Sequence, residues 1–277
     1  MRDLGKKEKL EAAAGEALGK TLSIRRLDVC SDSSVAECLQ DIPGGHVDVL
    51  VNNAGVGHVG PLESISMAEM KLIFETNFFG VVRMVKAVLP GMKQRQRGHI
   101  LVVSSVMGLQ GVVFNDVYAA SKFAVEGFCE SLAVQLLQFN VFVSLVEPGP
   151  VNTDFELKLL RDASGSDFPG VDPLTLRYFR DVYLPASQSI FSTLGQSPDA
   201  VAEAIVSVVV ARRPPFRTQT NRLYTPLVAL KYADPSGSCR CAACGVLLFA
   251  HGPLLRLSLA ALRCLRCACC RRRVTPV

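Results

Sequence analysis

Three short apolar runs, at residues 47–51, 100–103 and 141–146, constrain the fold of this chain more than any other feature. Each is dominated by Val, Leu or Ile and reads as a buried strand. Each also ends abruptly in polar or turn-forming residues. The first runs into Asn52, Asn53, Ala54 and Gly55, the second into Ser104 and Ser105, and the third into residues 147–153, with Glu147, Pro148, Gly149, Val151 and Thr153. A helical stretch at about 67–88 separates the first two runs, and a long apolar-patterned helix opened by Tyr118 separates the second from the third. Buried strands joined through helices require a parallel sheet, and open parallel sheets bind ligands beyond the carboxyl ends of their strands. Asn77 lies inside the first helical stretch, where a poor helix former needs a specific partner.

Ser105 is followed thirteen residues later by Tyr118 and four after that by Lys122. The i, i+4 spacing puts Tyr118 and Lys122 on one helix face. An ammonium beside a phenol favours the phenolate, so the Tyr118 pKa is expected to move from about 10 toward neutrality. Such a phenol gives and takes protons at working pH. The Ser105 hydroxyl, at the end of its strand, can hold a substrate oxygen. Tyr-x-x-x-Lys alone recurs by chance in many helices; here it stands among the polar strand ends described above.

Read in order, Asn52-Asn53-Ala54-Gly55, Asn77, Ser105, Tyr118, Lys122 and Pro148-Gly149 resemble the classical short-chain dehydrogenase/reductase family over roughly residues 1–230. Residues 114–128 resemble the branch of that family acting on steroids and retinoids. The resemblance implies an α/β fold with a Rossmann-like doubly wound parallel sheet, and an NADP-dependent oxidoreductase. It implies that Tyr118 exchanges a proton with the substrate oxygen and that Lys122 lowers the pKa of Tyr118 and holds the nicotinamide ribose. Ser105 would orient the carbonyl, and Asn77 would seat a water in the proton relay. Asn53, Ala54 and Gly55 would line the ribose side of the cofactor. Asp28 and Val29, at the end of a short strand near 23–27, would face the adenine, and Val151 and Thr153 would pack near the nicotinamide amide. A homodimer is part of the same expectation.

The family's opening strand, Gly-rich turn and helix have no counterpart here. Residues 1–4 resemble the end of its second strand, so about 35–40 residues of the first βαβ unit are expected to be missing. The expected consequences are an exposed apolar edge on the 47–51 strand and a pyrophosphate without its helix N-terminus. The sequence reads as incomplete at its start or as a short isoform, and a truncated, inactive relative is the alternative to an enzyme. Arg2, just past that second strand, would meet the 2′-phosphate of NADP, which makes NADP(H) the expected cofactor; a solvated surface arginine is the plainer reading.

Of 277 residues, those at 231–277 hold eight Lys/Arg and one Asp, a net +7 against −2 for the remainder, as well as seven of the ten cysteines. The basicity therefore belongs to a C-terminal tail and gives the fold no nucleic-acid surface. Residues 253–266 read as an amphipathic helix with Arg256, Arg263 and Arg266 near one side, followed by Arg271, Arg272 and Arg273. Such a segment suits an anionic, cytosol-facing membrane surface. Cys264, Cys267, Cys269 and Cys270 are candidates for S-acylation. The spacing of Cys241, Cys244, Cys264 and Cys267 is also that of a four-thiolate zinc site, but the leucine-rich segment between them lacks zinc-knuckle turns, and no metal site is expected.

Between 155 and 196 the sequence turns irregular and is expected to form a lid. Val106, Met107, Phe114, Phe155, Phe179 and Tyr183, with Ser105, would form an apolar pocket for a lipophilic carbonyl, a retinal or a steroid.

Overall fold

The computed structural model describes residues 2–234 and 236–238. Among them four parallel strands pair in the order β1-β2-β3-β4: β1 Val49–Asn52, β2 Gly98–Val103, β3 Val141–Glu147 and β4 Arg217–Gln219. The register sets Asn52 opposite Val102, Val103 opposite Val146 and Glu147 opposite Gln219, so the carboxyl ends gather along one edge of the sheet. The helices are α1 Glu8–Ala14, α2 Asp32–Gln40, α3 Met67–Phe74, α4 Gly80–Arg95, α5 Asp116–Leu136, α6 Asp154–Ser164, α7 Pro173–Arg177, α8 Leu184–Leu194, α9 Pro198–Val210 and α10 Thr225–Ala233.

The two-residue alternation of a strand divides β2 and β3 between two layers. Ile100, Val102, Val143 and Leu145 meet Val81, Met84, Val85 and Val88 of α4 and Val125, Cys129 and Leu132 of α5 in the main core. Leu101 and Val146 face the other way, onto Val208 of α9. Helices therefore cover both faces, as the Rossmann-like expectation required. β1 pairs only with β2 in the described sheet, and its Val49 and Val51 are 38% and 41% exposed, the apolar edge anticipated from the sequence. No helix among the described residues is long and apolar enough to cross a membrane.

Local structure departs from the sequence reading in four places. Residues 23–27 lie outside any strand; Leu27 and Val29 pack their side chains against the main core instead. Residues 2–4 do not end a strand either: Asp3 accepts a hydrogen bond from the Gly5 amide at 2.9 Å and caps a 3-10 turn, Leu4–Lys6. The helix beginning at Met67, capped by a reciprocal Ser66–Glu69 box, is interrupted by a π-helical turn at Glu75–Phe79 before continuing to Arg95. The stretch 155–196 is largely helical. Thr153 caps α6, the Asp172 carboxylate accepts from the Leu174 and Thr175 amides ahead of α7, and a second π-turn, Tyr178–Tyr183, leads into α8.

Candidate active site

Ser105 leaves β2 in extended backbone, and its Oγ accepts from the Met107 amide at 3.1 Å, which caps the 3-10 turn Val106–Gly108. That turn is tied to the loop after β3 by the Val106 amide on the Pro148 carbonyl, 2.9 Å. It is tied to α10 through Leu109, whose carbonyl accepts from Lys231 Nζ at 2.6 Å. The long helix α5 delivers Tyr118 and Lys122 to the same place. The Ser105 hydroxyl lies close enough to the Tyr118 phenol to favour its ionised form. Lys122 is buried, with Nζ donating to the Val103 carbonyl at 3.0 Å and standing 5.7 Å from the centre of the Tyr118 ring.

The electrostatics correct one expectation. Burial outweighs every other influence on Tyr118 and raises its pKa, with the Glu156 charge acting in the same direction. Burial also lowers Lys122, to about 8, against the raising influence of Glu126. The ammonium is directed at a backbone carbonyl and the face of the ring, so it does not pull the phenol toward neutrality. Tyr118 is accordingly held in its protonated form at neutral pH.

Asn77 has the partners that a mid-helix asparagine needs. It sits fully buried in the first π-turn. Its Oδ1 accepts from the Val56 amide at 2.8 Å, and its Nδ2 donates to the Val56 carbonyl at 2.9 Å and to Ser121 Oγ at 3.0 Å. Ser121 Oγ in turn donates to the Tyr118 carbonyl at 2.7 Å. One amide thus joins the loop after β1 to the turn of α5 that carries Tyr118 and Lys122.

The residues expected to face a cofactor border an open concavity at the carboxyl end of β1. Asn53, Ala54 and Gly55 are exposed at the carboxyl end of β1. A Cβ on Gly55 would come within 3.4 Å of Asn77 Oδ1 and 3.9 Å of Lys122 Nζ, so glycine keeps this concavity open. Nearby, Asn52 Nδ2 is buried without a partner. Of the residues expected to face an adenine, the Asp28 carboxylate accepts from the Cys30 amide at 3.0 Å, and the Val29 carbonyl accepts from Arg83 Nη1 at 2.5 Å. Val151 bridges to Gln196, and Thr153 Oγ1 accepts from the Glu156 amide at 3.4 Å. Arg2 is exposed.

The substrate-side residues divide. Phe114, Phe179 and Tyr183 form one aromatic cluster, with Phe114 5.0 Å from Phe179 and 5.2 Å from Tyr183, and the Tyr183 hydroxyl accepts from Asn115 Nδ2 at 2.7 Å. Phe179 is fully buried there, so it packs the lid rather than lining an open pocket. Phe155 stands apart, exposed on α6, where with Leu159 it covers Gly57. Val106 is buried and Met107 half-buried beside Ser105. Cys264, Cys267, Cys269 and Cys270 lie outside the described residues.

Motif reading passes over several ionisable residues near the triad. Glu156 is raised to about 7 by burial. Glu126, one helical turn beyond Lys122, meets Glu147 and Arg217. Their signals were an acid at i+4 from Lys122 and a glutamate closing an otherwise apolar strand.

A family model for short-chain dehydrogenases matches residues 2–163. The chain is 66% identical over 276 residues to retinol dehydrogenase 8 of Bos taurus, covering 100% of this chain and 88% of that protein. It is 43% identical over 242 residues to 17-beta-hydroxysteroid dehydrogenase type 1 of Homo sapiens, covering 86% of this chain and 73% of that one. Among solved structures it is similar to the closed form of serine dehydrogenase complexed with NADP+, with a TM-score of 0.64 and 27% identity over 79% of this chain and 81% of the other. Sequence, sheet topology and site agree on one placement: this chain belongs to the short-chain dehydrogenase family of oxidoreductases.

Proposed function

We propose that this protein reduces all-trans-retinal to all-trans-retinol with NADPH. The observation that carries the reading is the meeting of Ser105, Tyr118 and a buried Lys122 at the carboxyl end of β2, in a chain 66% identical to a retinol dehydrogenase along its whole length. In this reading the bound nicotinamide cofactor supplies the hydride. Ser105 holds the carbonyl oxygen, and Tyr118 Oη gives it a proton. A phenol is protonated at neutral pH and can give its proton to the oxygen that receives the hydride's electron pair. Lys122 holds the ribose and supplies positive charge beneath the phenol. Asn77 fixes the Val56 loop against α5 so that the cofactor-facing backbone and the triad keep their spacing. Asn53, Ala54, Gly55, Asp28, Val29, Val151 and Thr153 complete the cofactor side, with Arg2 selecting NADP.

Changing Tyr118 to Phe tests the reading. Retinal reduction should fall about 10²–10⁴-fold with NADPH binding retained; an active variant contradicts the donor role. A 17-ketosteroid is the second candidate, favoured by the 43% identity to the steroid enzyme. Comparing kcat/KM for the two carbonyls separates them. The reading includes a homodimer and attachment of the basic tail to the cytosolic face of a membrane through S-acylation of Cys264, Cys267, Cys269 and Cys270. Serine at those four positions should release the protein from membranes; unchanged partitioning contradicts the acylation.

A further inference from the structure

One helical turn beyond Lys122 on α5, Glu126 opens a second charged assembly. Arg217 of β4 reaches across the end of the sheet and donates through one nitrogen, Nη1, to both Glu126 of α5 and Glu147 of β3, the latter at 2.7 Å. Its Nη2 donates to Glu130 at 2.5 Å. Glu147 is fully buried and Glu126 nearly so, whereas Glu130 is largely exposed. Each buried carboxylate has one oxygen on the arginine and one, Glu126 Oε1 and Glu147 Oε2, with no partner. The Ser104 hydroxyl faces Glu126 and favours its charged form, without the alignment of a hydrogen bond, and the Gln219 amide does the same for Glu147. The Cys129 thiol, on the same helix, is pushed up to about 12 by burial and by the Glu126 charge.

Counted against Lys122 and Arg217, the carboxylates of Glu126, Glu147 and Glu130 leave one excess negative charge on a largely buried assembly, which is costly. The cheaper state keeps one proton on the pair, as in any two carboxylates that share a site. The assembly is also built into the walls of the triad. Glu126 follows Lys122 by one helical turn and is the charge that opposes the desolvation of its ammonium. Glu147 directly precedes the Pro148 carbonyl that anchors the Ser105 turn. Gly108 of that turn leaves room for the cluster: a Cβ there would come within 2.7 Å of Ser104 Oγ and 2.9 Å of Glu126 Cγ.

We propose that Glu126 and Glu147 share one proton under the clasp of Arg217, and that this unit positions Lys122 and keeps its ammonium charged. Lys122 then has Glu126 on one side and the Val103 carbonyl on the other. The groups facing the unit are Lys122, Cys129 and Glu130 from α5, Ser104 from β2 and Arg217 and Gln219 from β4, so a single added proton settles its charge.

The role assigned to Lys122 rests on the proposed function, and the test therefore has one arm that needs no activity. Melting temperatures of the full chain and of Glu147→Gln and Glu126→Gln are measured from pH 5.5 to 8. Glu147 is raised to about 7, so the folded protein holds a proton that the unfolded chain has lost, and wild-type stability should fall across this window as that proton leaves. Glu147→Gln fixes the neutral form, so its melting temperature should gain on wild type as the pH rises. Equal slopes in wild type and Glu147→Gln overturn the shared proton, whether or not the enzyme reading stands. In the second arm, the alkaline limb of kcat/KM should move to lower pH by about half a unit or more in Glu126→Gln, which loses the charge supporting Lys122, and stay in place in Glu147→Gln. A limb that does not move in Glu126→Gln overturns the positioning role. If Glu126→Gln does not fold, Glu126→Asp serves, with a smaller shift in the same direction expected.

Discussion

The main core and the lid bury apolar side chains by different means. Between the sheet and α4 and α5 the contacts are aliphatic and regular, Ile100, Val102 and Leu145 against Val81, Val85 and Val125, each at a position dictated by a strand or helix repeat. The lid is aromatic and irregular. Phe179 and Tyr183 stack at 5.5 Å on a π-turn, Phe168 stands edge-on to Phe179 at 5.0 Å, and both Phe114 and Phe168 hold left-handed backbone, with φ of 60° and 52°. Such conformations are costly for aromatic residues and persist only where surrounding packing enforces them. The frame is thus an aliphatic core set by strand and helix repeats, and residues 154–194 form an aromatic cluster joined to it through Phe114 and Asn115.

The sharpest way to break that contrast is Phe179→Ala. Removing a fully buried ring should cost about 3–5 kcal/mol. If the lid is a separate unit, hydrogen exchange should rise in residues 154–194 while the amides of β2 and β3 stay protected. Rising exchange throughout the sheet would mean that lid and frame are one cooperative body. The counterpart in the frame is Leu145→Ala, expected to cost about 2–5 kcal/mol and to lower the global melting temperature, with lid and sheet unfolding together. A smaller effect comes from Asn115→Ala, which removes one of the two side chains that hydrogen-bond the Tyr183 hydroxyl, Ser187 being the other, and should destabilise this segment by about 0.5–1.5 kcal/mol. Tyr183→Phe in the same background should recover part of that loss, and no recovery would separate the two residues energetically.

The gentlest probe is pH. Burial raises Glu156 to about 7, above its ordinary value of 4.5. The stabilising influence of its bound proton is complete below the unfolded value and is lost as the pH rises through 7. The lid of wild type should therefore loosen between pH 5 and 8 more than that of Glu156→Gln, as read by exchange in α6. Parallel behaviour of the two proteins would place Glu156 in solvent.

What the sequence disclosed follows the same division. The strands read at 47–51, 100–103 and 141–146 and the helix carrying Tyr118 and Lys122 were legible, because apolar periodicity and turn residues mark them locally. The order Ser105, Tyr118, Lys122 was legible for the same reason. The lid helices were hidden by polar, Pro- and Gly-containing segments whose caps, Thr153 and Asp172, carry their meaning only in place. The protonation of Tyr118 was misjudged because proximity to Lys122 can be counted along a helix, whereas depth of burial cannot. Nor could the pairing of Glu126 with Arg217, 91 residues apart, be read from either neighbourhood.

The π-turn at Glu75–Phe79 also bears on how such a chain can change length. A π-turn holds one residue more than the α-helical turn it replaces. Deleting any residue of this stretch could restore continuous α-helix, and the frame would lose little by it. The faces of α3 would then rotate by about 100° relative to α4. Asn77 would turn away from Val56 and Ser121, and the loop after β1 would lose its link to the triad helix. The spacing of this helix is thus as tightly fixed as the identity of its asparagine: a one-residue deletion there should yield a protein that folds and does not work.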